Sequence, residues 1–257
     1  MSTMITTAPP AFLKLLAHDL RWQLLVVLAR SDHRVQELVA LVNRPMNLVS
    51  YHLKQLRDHQ LVTERRSSAD GRDVYYSLDL AQLAAHYQQS GAQLHPLLGA
   101  MPLSGEATPV IPPRVLFLCT HNSARSQMAE GLLRHLSGGV IDVFSAGDEP
   151  AHVQPLAIQT MAALGIDISR QRAKHLDEFR GQAFDLIVTV CDRVREQCPI
   201  FPNDPAQIHW SIPDPLAATP DQAAAVFQTT ARTLRTRINY LLLTMTSTGP
   251  FVSTVPA

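Results

Sequence analysis

The run VLFLCTHNSARSQMAEG, from Val115 to Gly131, decides how this chain folds. An apolar stretch, Val115 to Leu118, leads into Cys119; Arg125 and Ser126 follow, and then a helical pattern begins. This C-x5-R-S spacing marks a turn from a strand into a helix. A thiol at such a turn faces a ring of backbone N–H groups and the positive end of a helix, an arrangement that binds a tetrahedral oxyanion. The same field favours thiolate over thiol, drawing a cysteine pKa from about 8.5 towards roughly 3.5–7.5. Arg125 adds a planar fork able to hold two oxygens, which a lysine cannot do. The candidate oxyanion cradle is Thr120, His121, Asn122, Ser123, Ala124 and Arg125, with Cys119 as nucleophile.

Working outward, Val115–Leu118, 141–144, 184–190 and 207–210 read as short strands separated by helical segments. Alternation of this kind indicates an α/β domain with a short parallel sheet. Sites in such sheets lie beyond the carboxyl ends of the strands. Cys119 and Cys191 both fall there, and Asp214 follows the last strand by a short loop, so the three converge on one edge. Cys191 and Cys198 form a C-x6-C pair in VCDRVREQCP. Zinc fits poorly, since no second pair of sulfurs accompanies them. They are either two core cysteines or a redox pair. In a helix, seven residues at about 1.5 Å each would separate them by roughly 10 Å. A disulfide requires Cα atoms within about 7 Å, so joining them demands local unwinding.

The loop, SAG at Ser145 to Gly147, NDPAQIHWSIPDP from Asn203 to Pro215 and the cysteine pair together resemble the low-molecular-weight tyrosine phosphatase fold. The likeness spans roughly 114 to 245 and is closer to the thioredoxin-coupled arsenate reductases built on that fold. His121 and Ala124 stand where many members carry Gly and Cys; His121 either contacts the oxyanion or faces solvent. The resemblance implies a relay. Cys119 attacks arsenate held by the loop and Arg125, Ser126 stabilises the thiolate, and Asp214 protonates the departing oxygen. Cys191 then expels arsenite, and Cys198 accepts the oxidation for thioredoxin to remove, with no cofactor. Some members hold potassium, and Asn122, Glu130 and Ser145 match three of its ligands. Lys174 occupies the acidic fourth position, so an ammonium replaces the ion and no metal is expected. Two alternatives stand beside the reductase. One is a protein tyrosine phosphatase fused to a DNA-binding domain, although Pro215-Leu216-Ala217 lacks tyrosines to grip an aromatic ring. The other is a transcription regulator that senses oxyanion without turning it over.

At 257 residues the chain has room for two domains, and 46% hydrophobic residues suit well-packed cores. The apolar run Leu24 to Ala29 is too short to span a bilayer or serve as a signal segment, so no membrane association is expected. Three cysteines, an odd number, point to a reducing cytoplasm rather than a disulfide scaffold. The formal net charge of zero means that any nucleic-acid surface is local. Pro96, Pro102, Pro109, Pro112 and Pro113 cluster between helical patterns. The expected division is a DNA-binding domain at 1–96, a linker at 97–112, the α/β domain at 113–246 and a flexible tail at 247–257.

The N-terminal part reads helix, helix, helix, hairpin, helix. Phe12, Leu15, Leu16, Leu20, Leu24, Leu25 and Leu28 recur at helical spacing, and Arg34 to Val42 makes a short helix. Asn43-Arg44-Pro45 forms a turn, with Pro45 suited to the first helical position. The following helix, 46–59, sets Leu48, Val49, Leu53 and Leu56 on one side, leaving Asn47, Ser50, Tyr51, His52, Lys54 and Gln55 opposite. ADGRD then signals a turn between two strands. That order is a winged helix-turn-helix, and LVSYHLKQLRDHQLV resembles the ArsR/SmtB repressor family. The resemblance implies a homodimer on double-stranded operator DNA. Asn47, Ser50, Tyr51 and His52 would face bases, while Lys54, Arg65, Arg66 and Arg72 would contact phosphates. A helix from Leu80, to Gly91 or Leu98, would be the dimer element. No cysteine lies in this half, which excludes arsenite capture there through thiols.

Overall fold

The computed structural model describes residues 8–94, 113–197 and 205–247; the expected linker and the tail beyond Ser247 lie outside them. Among these, one compact unit takes 8–66 and 73–94, and the other takes 67–72, 113–197 and 205–247.

The C-terminal unit is built on four parallel strands: β4 (Arg114–Cys119), β5 (Asp142–Gly147), β6 (Leu186–Thr189) and β7 (Ala206–His209), in the order β5-β4-β6-β7. Strands covered by helices on both faces bury every side chain, and Val115 to Leu118 are at most 1% exposed. The helices are α6 (Arg125–Leu136), α7 (Pro155–Ala163), α8 (Asp192–Gln197) and α9 (Ala223–Ser247). On α9, Phe227, Ala231, Leu234, Ile238 and Leu241 recur at steps of three and four, and this buried stripe packs on α6 and α7. Expected and observed strands agree in number and differ at their ends. The second strand runs on to Gly147 because its last residues pair with Phe117 to Cys119. The third is shorter than 184–190, since only Leu186 to Thr189 pair with β7.

The N-terminal unit holds α1 (Ala11–Leu16), α2 (Asp19–Arg30), α3 (Val35–Val42), α4 (Met46–Asp58), α5 (Leu80–Leu94), and an antiparallel sheet ordered β1-β3-β2. Its strands are β1 (His33–Arg34), β2 (Val62–Arg66) and β3 (Val74–Leu78). The apolar series from Phe12 to Leu28 is buried throughout but belongs to two helices, because His18 breaks the run and caps α2 by accepting from the Leu20 N–H. Asn43 ends α3 in the left-handed region at φ 48°, where a short polar side chain is tolerated. Pro45 is the cap of α4 rather than its first residue.

Helical geometry corrects two placements on α4. The buried stripe is Val49, Leu53 and Leu56, each at most 1% exposed. At about 100° per residue, His52 lies about 65° from the centre of that stripe, whereas Leu48 lies about 105° away. His52 is accordingly buried against the His18 ring, 4.3 Å between centroids, and Leu48 is exposed. His52 therefore does not present its ring to a base edge.

Candidate active site

Cys119 is the last residue of β4, in register with Gly147 on β5, and the chain then turns into α6. The turn depends on Asn122, held at φ 43°. Its side chain is locked from both ends. Nδ2 donates to Ser126 Oγ at 2.9 Å and to Ser145 Oγ at 2.8 Å, while Oδ1 accepts from Gln127 Nε2 at 2.9 Å and the Lys174 N–H at 2.8 Å. These four bonds offset the strain of a left-handed non-glycine residue. The Asn122 N–H also points at Cys119 Sγ, 3.2 Å away, and Ser126 Oγ lies 2.8 Å from the same sulfur.

Gly147 explains the SAG motif physically. A Cβ there would stand 2.5 Å from the Thr120 carbonyl oxygen and 2.8 Å from the Asn122 nitrogen. Only a hydrogen fits between β5 and the loop.

Arg125 opens α6 and is 7% exposed. Nη1 donates to the Ile212 carbonyl at 3.0 Å, and Nη2 is paired with Asp214 Oδ2 at 3.1 Å. Asp214 caps the 3-10 turn Pro215–Ala217 by accepting from the Leu216 N–H. On the other side of the loop, the buried Cys191 thiol lies 3.3 Å from Thr120 Oγ1. Cys119, Arg125, Ser126, Cys191 and Asp214 thus belong to one cluster. Cys198 lies outside the described residues. Thr120, Asn122, Ser123 and Ala124 are buried along the loop, while His121 sits at its rim, with Nδ1 3.1 Å from the Glu149 carbonyl oxygen.

Residues 114–248 match the model of the family described as low molecular weight phosphotyrosine protein phosphatase. The chain belongs to this family. It is 40% identical over 137 residues to an arsenate reductase of Halalkalibacterium halodurans, covering 52% of this chain and 96% of that one. It is 40% identical over 116 residues to an arsenate reductase of Bacillus subtilis, covering 44% of this chain and 84% of the relative. A solved structure of an arsenate reductase in the phosphate binding state is 30% identical, with a TM-score of 0.43 over 52% of this chain and 99% of that one. The relatives place this chain with the arsenate reductases of the family.

In this phosphatase-family loop, burial pushes the Cys119 thiol above its ordinary pKa. The Arg125 charge and the hydrogen bonds from Ser126 pull the other way, and the neighbouring Cys191 adds to the rise. The expectation of a depressed pKa is therefore not met. Cys119 is only 3% exposed, and the Arg125 guanidinium is already engaged by Asp214. Desolvation penalises the thiolate more than these partners favour it.

Around the loop, Glu130 is 4% exposed and accepts from Ser145 Oγ at 2.5 Å. The Lys174 ammonium lies 3.1 Å from the same carboxylate oxygen. That charge already counters Glu130, so these residues do not fit a monovalent metal ion as well. Three other contributors carry no motif: Gln127, which ties Asn122 to the Arg172 carbonyl, and the buried pair Asp192 and His209. Apart from Asn122, five residues from Gln127, these partners lie far away in sequence, and no local pattern marks them.

In the N-terminal unit, Asn47, Ser50, Tyr51 and Lys54 are exposed on α4. Lys54 pairs with Asp58 at 3.1 Å. Arg66, at the end of β2, is exposed, and Arg65 is half-buried, with Nη1 donating to the Arg66 carbonyl; Arg72, in the 67–72 segment that groups with the C-terminal unit, is exposed. Among the described residues no helix is long and apolar enough to cross a membrane.

Proposed function

We propose that the C-terminal unit reduces arsenate to arsenite through a three-cysteine relay, and that the N-terminal unit is an ArsR-type winged helix-turn-helix that binds operator DNA as a dimer. The observation that carries the first half is the Cys191 thiol beside the loop, 3.3 Å from Thr120 Oγ1, followed seven residues later by Cys198. A phosphatase needs Cys119, Arg125 and Asp214 but has no use for a second thiol at the loop and a third in reserve.

In the proposed reaction, arsenate sits among the loop amides and the Arg125 fork. The Cys119 thiolate bonds to arsenic, and Asp214 gives a proton to the oxygen that leaves as water. Cys191 then attacks Cys119 Sγ. The sulfur–arsenic bond breaks with its electron pair on arsenic, which departs as arsenite. Cys198 attacks Cys191, freeing Cys119, and the Cys191–Cys198 disulfide passes to an external dithiol of the thioredoxin type. Two thiols are oxidised as arsenic gains two electrons.

The DNA-binding half is supported by exposed Asn47, Ser50 and Tyr51 on one face of α4 and by Arg65, Arg66 and Arg72 on the β2–β3 hairpin. A helix offering amide, hydroxyl and phenol groups beside a basic hairpin suits base edges and phosphates respectively.

The deciding experiment is steady-state arsenate turnover with thioredoxin as sole reductant, repeated with Cys198→Ser. The wild type should turn over, and the variant should stop after one arsenite per chain with a Cys119–Cys191 disulfide, read by mass spectrometry of trapped thiols. Repeated turnover by Cys198→Ser would reject the relay. Aryl phosphate hydrolysis without arsenate reduction would favour the phosphatase.

A further inference from the structure

We propose that His209 is a positioning residue for Cys191, acting through the Asp192 carboxylate. The inference rests on the relay described above and adds to it the residues that hold the resolving thiol in place.

Asp192 directly follows Cys191 and opens α8. Its side chain is fully buried, and Oδ1 accepts from His209 Nε2 at 3.1 Å and from Ser211 Oγ at 2.8 Å. His209 ends β7, in register with Thr189 at the end of β6. Its ring is fully buried too, with Nδ1 2.9 Å from Thr189 Oγ1 and 3.2 Å from the Thr189 carbonyl oxygen. In the neutral ring Nδ1 accepts from the hydroxyl, and in the charged ring it donates to the carbonyl. Either form directs Nε2–H to Asp192.

A carboxylate removed from water persists only where donors replace the lost hydration. Here Oδ1 is served by His209, at the end of β7, and by Ser211 just beyond it, while Oδ2 accepts from the Ser68 N–H at 2.8 Å and from Ser68 Oγ at 3.2 Å, so Asp192 is held at both oxygens. Upstream, the Val190 N–H donates to the Leu118 carbonyl at 2.8 Å, on the strand that carries Cys119. Cys191 is thus held between two fixed neighbours. Its thiol can rotate towards Cys119, but its Cα stays at the sheet edge.

The test uses the full chain carrying Cys198→Ser, so that oxidation stops at the first disulfide. Hydrogen peroxide converts the Cys119 thiolate to sulfenic acid with loss of hydroxide. Cys191 attacks that sulfur, and the second oxygen leaves as hydroxide. Dimedone competes for the sulfenic acid, so the ratio of disulfide to dimedone adduct reads the Cys191 step alone. Removing the imidazole donor from Asp192 Oδ1 in His209→Leu should lower that ratio on the order of tenfold. His209→Gln keeps an N–H donor and should restore most of it, as should Asp192→Asn placed together with His209→Leu. Ser211→Ala, which removes one donor and little volume, should give a smaller fall and stands in if His209→Leu does not fold. Affinity of the loop for inorganic phosphate should stay unchanged in every variant. Equal ratios in the Cys198→Ser parent and in His209→Leu, or in Ser211→Ala where that variant stands in, would overturn the proposal. So would equal losses in the Leu and Gln variants, or a parallel fall in phosphate affinity. Wild-type arsenate turnover tests the relay separately: its absence, with the peroxide ratios as expected, would remove the arsenate step and leave the role of His209 standing.

Discussion

Burial and charge act on Cys119 in opposite directions, and burial is the larger of the two. A raised pKa for an acid means that the neutral thiol persists to higher pH, so the free enzyme holds little thiolate near neutrality. Alkylation of Cys119, followed by peptide mass spectrometry, should therefore accelerate as pH rises past the ordinary thiol range. Removing the opposing charge in Arg125→Leu should move the rise still higher, and a profile already flat at pH 7 would contradict the balance described here. Gly147 acts through shape alone. Gly147→Ala would drive a methyl group against the Thr120 carbonyl oxygen, and overpacking of this kind costs about 1–3 kcal/mol. Thermal or denaturant unfolding should show that loss, together with weaker phosphate binding, because the displaced atoms belong to the loop. That Cys119, Arg125 and Ser126 meet was legible in the sequence because strand, loop length and residue type coincide, and that Asp214 joins them because it follows the last strand by a short loop. The pKa of Cys119 was not, since the spacing signals the helix end and the arginine but says nothing of how deeply the sulfur is covered.

Elements with a strong period could be recognised, and elements defined by their partners could not. The helical spacing of Leu20, Leu24, Leu25 and Leu28 and the buried run of β4 announce themselves in the chain. β1 is two residues long and exists only because His33 and Arg34 pair with Tyr76 and Tyr75, a contact too distant for any local pattern. On α4, a reading that counted Leu as apolar and His as polar exchanged Leu48 with His52, because residue type outweighed angular position. With His52 withdrawn, base contacts would fall to Asn47, Ser50 and Tyr51, and phosphate contacts to Lys54 and the hairpin. That division predicts a particular salt response. Phosphate contacts release counterions without reading sequence, so Arg65→Gln with Arg66→Gln should weaken operator and random DNA alike and flatten the slope of log affinity against log salt by about two. Fluorescence anisotropy at several salt concentrations would measure it. An unchanged slope would take the hairpin off the DNA, and equal wild-type affinity for operator and random sequence would remove the repressor assignment.

At the scale of the whole molecule, the distribution of sulfur decides what the two halves could share. Cys119, Cys191 and Cys198 are the only cysteines, and none precedes residue 119. If DNA binding answers to arsenite, the arsenic must therefore be held in the reductase half. For such a signal to exist, arsenite must bind the DNA-free and DNA-bound chains with different affinity, and the effect on operator affinity equals that difference by linkage. The Pro-rich composition between 97 and 112 makes a poor conductor of a small loop movement, so the expected effect is modest, at most about tenfold or 1.4 kcal/mol. Operator affinity of the full chain should fall by up to that factor when arsenite is added, and should not respond once all three cysteines are changed to serine. A response that survives in the cysteine-free chain would place the arsenic elsewhere and refute the route. No response in either chain would mean that the two halves share a polypeptide and act independently, with the regulator answering to some other ligand.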